Sequence, residues 1–108
     1  MVLKDTSEVV PMPESCTTMA EVRAGIDALD RQIVDLLAVR FGYMRAAARI
    51  KPERGQVRDE ARKAEVIAQA RAAADAHGLP GEAISNLWND LVEASIAYEL
   101  EHWDARKG

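Results

Sequence analysis

The pattern of hydrophobic residues predicts one very long helix in the first half of the chain. No proline occurs between Met19 and Lys51, and apolar residues recur at the three- and four-residue spacing of a single helix face. These apolar residues are Val22, Ile26, Leu29, Ile33, Leu36, Leu37, Met44 and Ala47. Thr18 followed by Glu21 is typical of a capping box at a helix start, and Pro52 ends the pattern.

Two positive charges share this apolar face. Arg40 lies between Leu37 and Met44 in the same row, and Lys51 follows eleven residues later, close to three whole turns. Burying an unpaired charge is costly, so each cation needs either a carboxylate partner or an anionic ligand. The structural alternative for Arg40 is a core arginine paired with an acid. For Lys51 it is a lysine near the helix C-terminus that interacts favourably with the helix dipole.

Two further helices are predicted. The second begins near Asp59, whose negative charge suits the positive end of a helix, and it ends at the His77-Gly78-Leu79-Pro80 segment. The third runs from about Gly81 to Asp104. Its inward row is Ile84, Leu87, Trp88, Leu91, Val92, Ser95, Ile96 and Trp103. Glu99 falls on that row as well, and it is the second charge in an unexpected place.

Composition indicates an all-α chain and excludes several functions. The 108 residues are 48% hydrophobic with a net charge of −4, whereas nucleic-acid binders are usually basic. The lone Cys16 forms no internal disulfide, and two scattered histidines offer no metal cluster. No apolar run approaches the ~20 residues that span a bilayer. We therefore expect a cytoplasmic protein without cofactor, metal, membrane or nucleic-acid partner, with residues 1–16 as a flexible arm and 17–108 as one helical domain.

The length of the first helix predicts a homodimer. As a helix, residues 19–51 would extend about 50 Å, whereas a compact domain of this size is only about 35 Å across. Much of the apolar stripe would overhang its own domain, and a second copy is the simplest way to cover it.

The unusual charges together suit a small dianion. The cations are Arg23, Arg40, Lys51 and Arg62, and the acids are Asp59 and Glu99. Guanidinium groups grip carboxylates with two parallel hydrogen bonds. No serine, threonine or cysteine has an obvious activating histidine, so an enzyme built on these residues would work by positioning and electrostatics.

The chain resembles the all-helical chorismate mutases. The resemblance is carried by the segment from Val22 to Arg40, by Lys51 near the helix end, by Val57-Arg58-Asp59-x-x-Arg62 and by Ser95-x-x-x-Glu99. It covers about residues 18–103. Cys16-Thr17 and His102-Trp103 are more similar to the isochorismate-pyruvate lyases, which are close relatives with the same fold.

This resemblance implies an intertwined dimer of three-helix subunits that share two sites. Arg40 and Arg23 of the partner subunit would bind the two substrate carboxylates, and Lys51 would bind a carboxylate and the ether oxygen. Asp59 would hold the ring hydroxyl. Arg62 would support Asp59 or a carboxylate, and Ser95 would line the pocket. The structural alternatives are a helix cap for Asp59, a salt bridge from Arg62 to Asp59 three residues before it, and a small packing residue for Ser95.

Glu99 occupies a position where many relatives have glutamine. A carboxylate there would repel the ether oxygen, so Glu99 helps only when protonated, and catalysis is expected to fade as the pH rises. The leading hypothesis is chorismate mutase, acting on chorismate. The alternatives are an isochorismate-pyruvate lyase, which releases salicylate and pyruvate, and a non-catalytic helical dimerisation or regulatory module.

Overall fold

The computed structural model of the chain describes residues 11–107. Within this range it contains three α-helices and two short 3-10 helices, and no strand. The predicted all-α class is confirmed. Residues 1–10 of the predicted arm lie outside the described residues, so the division into an arm and a domain stays a prediction. None of the described helices is long and apolar enough to cross a membrane.

The chain divides into two compact units, the first ending at Arg40 and the second beginning at Phe41. The first unit contains a 3-10 helix, Pro13–Ser15, and the start of helix α1, Met19–Ile50. The predicted capping box is present, because the Glu21 backbone N–H donates to Thr18 Oγ1 at 3.2 Å while a Glu21 carboxylate oxygen accepts from the Thr18 N–H at 3.1 Å. These bonds satisfy backbone groups that a helix start otherwise leaves unpaired.

The apolar stripe of the first unit remains largely uncovered in the single chain. Ile26, Leu29 and Ile33 are each about half exposed, at 51%, 47% and 50%. Large apolar side chains repeated along one exposed face mark an interaction surface.

The second unit holds the end of α1, a 3-10 helix at Arg54–Gln56, helix α2 at Glu60–Ala76 and helix α3 at Gly81–Lys107. Helix α1 ends at Ile50 because proline disfavours the helical conformation in the residue before it and cannot itself donate a backbone hydrogen bond. Helix α3 continues three residues beyond the predicted end, since nothing in that stretch breaks a helix.

Helix α2 begins and ends as its sequence predicts. Asp59 caps the start, where its carboxylate accepts the Arg62 backbone N–H at 3.0 Å. At the other end Gly78 has φ of +69°, a left-handed conformation that costs glycine little. The Leu79 N–H then bonds to Ala74 O at 2.9 Å and the Gly78 N–H to Asp75 O at 3.1 Å, the pattern of a Schellman motif.

The core of the second unit lies between α3, α2 and the connection that follows α1, residues 51–59. Val57, Val92 and Ile96 form a buried cluster, against which Val66, Leu100 and Trp103 pack. Ser95 and Glu99 are also buried on this face of α3, so the predicted inward row is largely confirmed. Leu87 is the error, because 60% of it is exposed in the single chain.

Candidate active site

Lys51 and Glu99 meet in the second unit. The Lys51 ammonium donates to Glu99 Oε2 at 2.7 Å. The Glu99 side chain is only 5% exposed and that of Lys51 is 30% exposed. A buried carboxylate needs a charged or hydrogen-bonding partner, and Lys51 supplies it. Two charges singled out in the sequence, one just after α1 and one on α3, are therefore in direct contact.

The burial of Glu99 follows from its place on α3. Ile96 lies three residues before it and Trp103 four residues after it, so all three side chains share one helix face. Ile96 belongs to the buried apolar cluster and Trp103 packs against that cluster. Electrostatic interactions are stronger where water is excluded. A charged ligand at this point would therefore interact strongly with the Lys51 ammonium and the Glu99 carboxyl group.

Trp103 also holds the backbone of Lys51. Its indole N–H donates to the Lys51 carbonyl oxygen at 3.0 Å. The sequence predicts only a packing role for Trp103, because nothing in it signals a bond from an indole to a backbone carbonyl 52 residues away.

A second link to α3 lies three residues further along the connection. Arg54 Nε donates to Asp104 Oδ1 at 2.8 Å and Arg54 Nη2 donates to Asp104 Oδ2 at 3.1 Å. About half of each side chain is exposed. The hydrogen bond from Arg54 lowers the pKa of the Asp104 carboxyl below its ordinary value. Neither residue was among the predicted site residues.

Ser95 is buried one turn before Glu99 on α3. Its hydroxyl donates to the Leu91 carbonyl oxygen at 2.7 Å, a bond to the preceding turn that serines in helices commonly make. The side chain is thus on the same helix face as Glu99, and its pocket-lining role stays a prediction.

Asp59 and Arg62 are brought together at the start of α2, but through the backbone. The Asp59 carboxylate accepts the Arg62 N–H as a helix cap, while the Arg62 guanidinium donates to Glu65. Both residues are exposed. The structural interpretation of Asp59 as a helix cap is confirmed. The side chain of Arg62 pairs with Glu65 instead of forming the expected salt bridge with Asp59.

The remaining predicted cations, Arg23 and Arg40, belong to the first unit. Arg23 is exposed and Arg40 is half-buried, and both lie on α1. Their 17-residue separation corresponds to roughly 25 Å along a helix. One small ligand cannot contact both arginines of the same chain, and their binding roles stay predictions.

The contact between Lys51 and Glu99 can offer two hydrogen bonds to one atom. An ammonium has three donors, and a protonated carboxyl group has one. Two donors aimed at one point suit an oxygen on which negative charge grows during a reaction. With the carboxyl ionised, only the ammonium donates.

Two comparisons with known proteins indicate the family. The model of a family described as chorismate mutase type II matches residues 22–100, a range that includes every predicted site residue. A relative from Pseudomonas aeruginosa named isochorismate pyruvate lyase is 29% identical over 96 residues, which are 89% of this chain and 95% of the relative.

Proposed function

Because the chain belongs to the chorismate mutase type II family, we propose that it rearranges chorismate to prephenate. The reaction is pericyclic and needs no protein nucleophile. An enzyme accelerates it by holding the compact conformer and stabilising negative charge on the breaking ether oxygen. The observation that carries the proposal is the 2.7 Å contact between the Lys51 ammonium and the buried Glu99 carboxyl group.

In this proposal the two groups act on the same oxygen. Lys51 turns one N–H toward the ether oxygen and another toward a substrate carboxylate. Glu99 adds a second donor to the ether oxygen in its protonated form and repels it when ionised. Arg40 and Arg23 of the partner subunit bind the carboxylates, Asp59 holds the ring hydroxyl with Arg62 in support, and Ser95 lines the pocket.

The proposed site needs two copies of the chain. Support comes from the apolar face of α1, where Ile26, Leu29 and Ile33 are about half exposed. A second copy laid against this face would bury those side chains. We expect a dimer in analytical ultracentrifugation, and Ile33→Asp should shift it toward monomer and reduce turnover together. A wild-type protein that sediments as a stable monomer would contradict the shared site.

A second candidate function is that of an isochorismate-pyruvate lyase. It is favoured by the relative of that name, which aligns over 95% of its own length. The same cationic groups would hold isochorismate while pyruvate is released and salicylate remains. The test is to assay purified protein with chorismate and with isochorismate separately. Faster formation of salicylate than of prephenate would replace the first proposal with this one.

A non-catalytic helical module is the third possibility, and binding separates it from both enzymes. Prephenate carries the two carboxylates of the proposed ligand and can be titrated by calorimetry. Arg40→Ala should weaken its binding about 30-fold, as expected for lost hydrogen bonds to a charged group. Arg49→Ala, which removes an exposed cation from the same helix, is the matched control. Equal affinities of wild type and Arg40→Ala would favour the module.

A further inference from the structure

One turn of α3 contacts both the backbone and the ammonium group of Lys51. Trp103 donates its indole N–H to the Lys51 carbonyl oxygen at 3.0 Å. Glu99, four residues earlier, accepts from the Lys51 ammonium at 2.7 Å. Residues four apart are neighbours on a helix surface, so the backbone and the charged end of Lys51 are fixed against the same short stretch.

The residue after Trp103 holds the connection at a second point. Asp104 accepts two hydrogen bonds from the Arg54 guanidinium, at 2.8 and 3.1 Å. Such paired bonds fix orientation as well as distance. Two adjacent residues of α3 therefore tether positions 51 and 54, which lie on either side of Pro52.

These tethers matter because the backbone leaves α1 at Lys51, whose N–H still donates to Ala47 O at 2.9 Å. The helix ends at Ile50, and Pro52 has no N–H with which to continue it. The Lys51 ammonium is carried on a flexible four-carbon stem, so the direction in which it donates depends on where its backbone is held. A misplacement of about 1 Å in a reacting geometry can cost two orders of magnitude in rate.

We propose that Trp103 and Asp104 are positioning residues that orient the Lys51 ammonium for its part in the reaction. Neither touches the substrate: Trp103 acts on the Lys51 backbone, and Asp104 acts through Arg54. The inference rests on the proposed function, since it depends on Lys51 donating to the substrate. The contact between Arg54 and Asp104 is half exposed and adds little to stability; its effect is on orientation.

The test compares Trp103→Phe and Asp104→Asn with wild type. Phenylalanine keeps an aromatic ring against the core but has no N–H, and asparagine keeps the shape of Asp104 without its charge. Loss of one hydrogen bond of ordinary strength predicts that kcat per folded molecule falls about fivefold in Trp103→Phe. A fall of about threefold is expected for Asp104→Asn, the value of an exposed ion pair, with KM nearly unchanged in both. Glu101→Gln removes an exposed carboxylate from the same helix and should leave kcat as it is.

A second measurement does not depend on turnover. The Gln56 and Val57 amides bond within the connection, to Glu53 O and Arg54 O at 3.1 Å each. Hydrogen exchange at these two amides should quicken in Trp103→Phe and Asp104→Asn but not in Glu101→Gln. If wild type turns over neither substrate, the proposed function fails, while the exchange rates still report whether α3 holds the connection.

A charge swap provides the rescue. The double variant Arg54→Asp with Asp104→Arg should recover kcat and slow amide exchange relative to Arg54→Asp alone. Asp104 is half exposed, so its variants test the proposal even if Trp103→Phe does not fold. Quickened exchange with wild-type kcat in Asp104→Asn would overturn the positioning role, and unchanged exchange in every variant would overturn the tether itself.

Discussion

Two lysine–glutamate contacts join α3 to the rest of the second unit at the same distance, but the two acids differ in exposure. Lys51 reaches Glu99, and Lys63 reaches Glu93, with 2.7 Å between nitrogen and oxygen in both. The Glu99 side chain is 5% exposed, whereas that of Glu93 is 39% exposed. The two contacts therefore differ in the exposure of the acid and not in distance.

The partners of the two acids differ as well. Glu93 accepts two hydrogen bonds from Arg58 in addition to the one from Lys63, and this network ties the start of α2 to α3 at the protein surface. Burying an ion pair brings little net stability, because removing both charges from water costs about as much as their attraction returns. The proposed function assigns the contact of the buried Glu99 to the reaction, whereas the network of the more exposed Glu93 is assigned to folding.

The difference between the two contacts is tested most directly by removing each lysine. Lys51→Ala deletes the proposed donor to the ether oxygen, and kcat should fall by about 10² to 10³, as when one oxyanion donor is removed. Lys63→Ala deletes an ammonium at the same distance from a carboxylate, and its kcat should stay within about twofold of wild type. Steady-state assays on both variants measure this, and equal losses would mean that burial does not mark the functional contact.

The apolar side chains around Glu99 can be tested through stability. Ile96 is 8% exposed and belongs to the buried cluster with Val57 and Val92. Ile96→Ala leaves a cavity and should lower the free energy of unfolding by about 3 kcal/mol in urea titrations. Leu79→Ala, at a residue that is 50% exposed, should cost clearly less. A loss no larger than that of Leu79→Ala would show that this cluster is not the core.

The elements of this fold are predictable because their signals are local. The Thr18 capping box, the Asp59 cap and the Gly78 stop each depend on residues within one turn. Glu99 was also identifiable, since it interrupts an apolar row. Leu87 shows the limit of such a signal, because it lies on the predicted inward row of α3 and is 60% exposed in the single chain.

The tethers of the connection could not be predicted in the same way. Arg54 and Asp104 are ordinary surface charges 50 residues apart, and either could have paired with many others. The bond from Trp103 reaches a backbone carbonyl, a group that every residue carries. Which partners meet depends on how α3 packs against the connection, and that is set by tertiary structure.

The role of Glu99 is tested with Glu99→Gln, which removes the negative charge and keeps the shape of the side chain. Glu99 can donate only in its protonated form, so the wild-type rate should fall as the pH rises. Glu99→Gln always carries a donor, so its profile should be flat and its kcat about tenfold above wild type at the alkaline end, the value of one hydrogen bond. Glu93→Gln should keep the wild-type shape. A flat wild-type profile would remove Glu99 from the proposed mechanism.

The smallest expected effect concerns Glu93 and the hydrogen bonds that it accepts from Arg58 and Lys63. Hydrogen bonds from Arg58 first and Lys63 second lower the pKa of Glu93 from its ordinary 4.5 to about 2. Because the folded-state pKa is the lower one, this stabilisation is complete above about pH 4.5 and is lost as the pH falls toward 2. Glu93→Gln should therefore have a slightly lower urea midpoint than wild type at pH 7, and the difference should disappear near pH 2.

Glu101→Gln, the same change at an exposed acid on α3, should show no such convergence. A difference between wild type and Glu93→Gln that persists to pH 2 would mean that packing, rather than charge, ties α2 to α3 at this point.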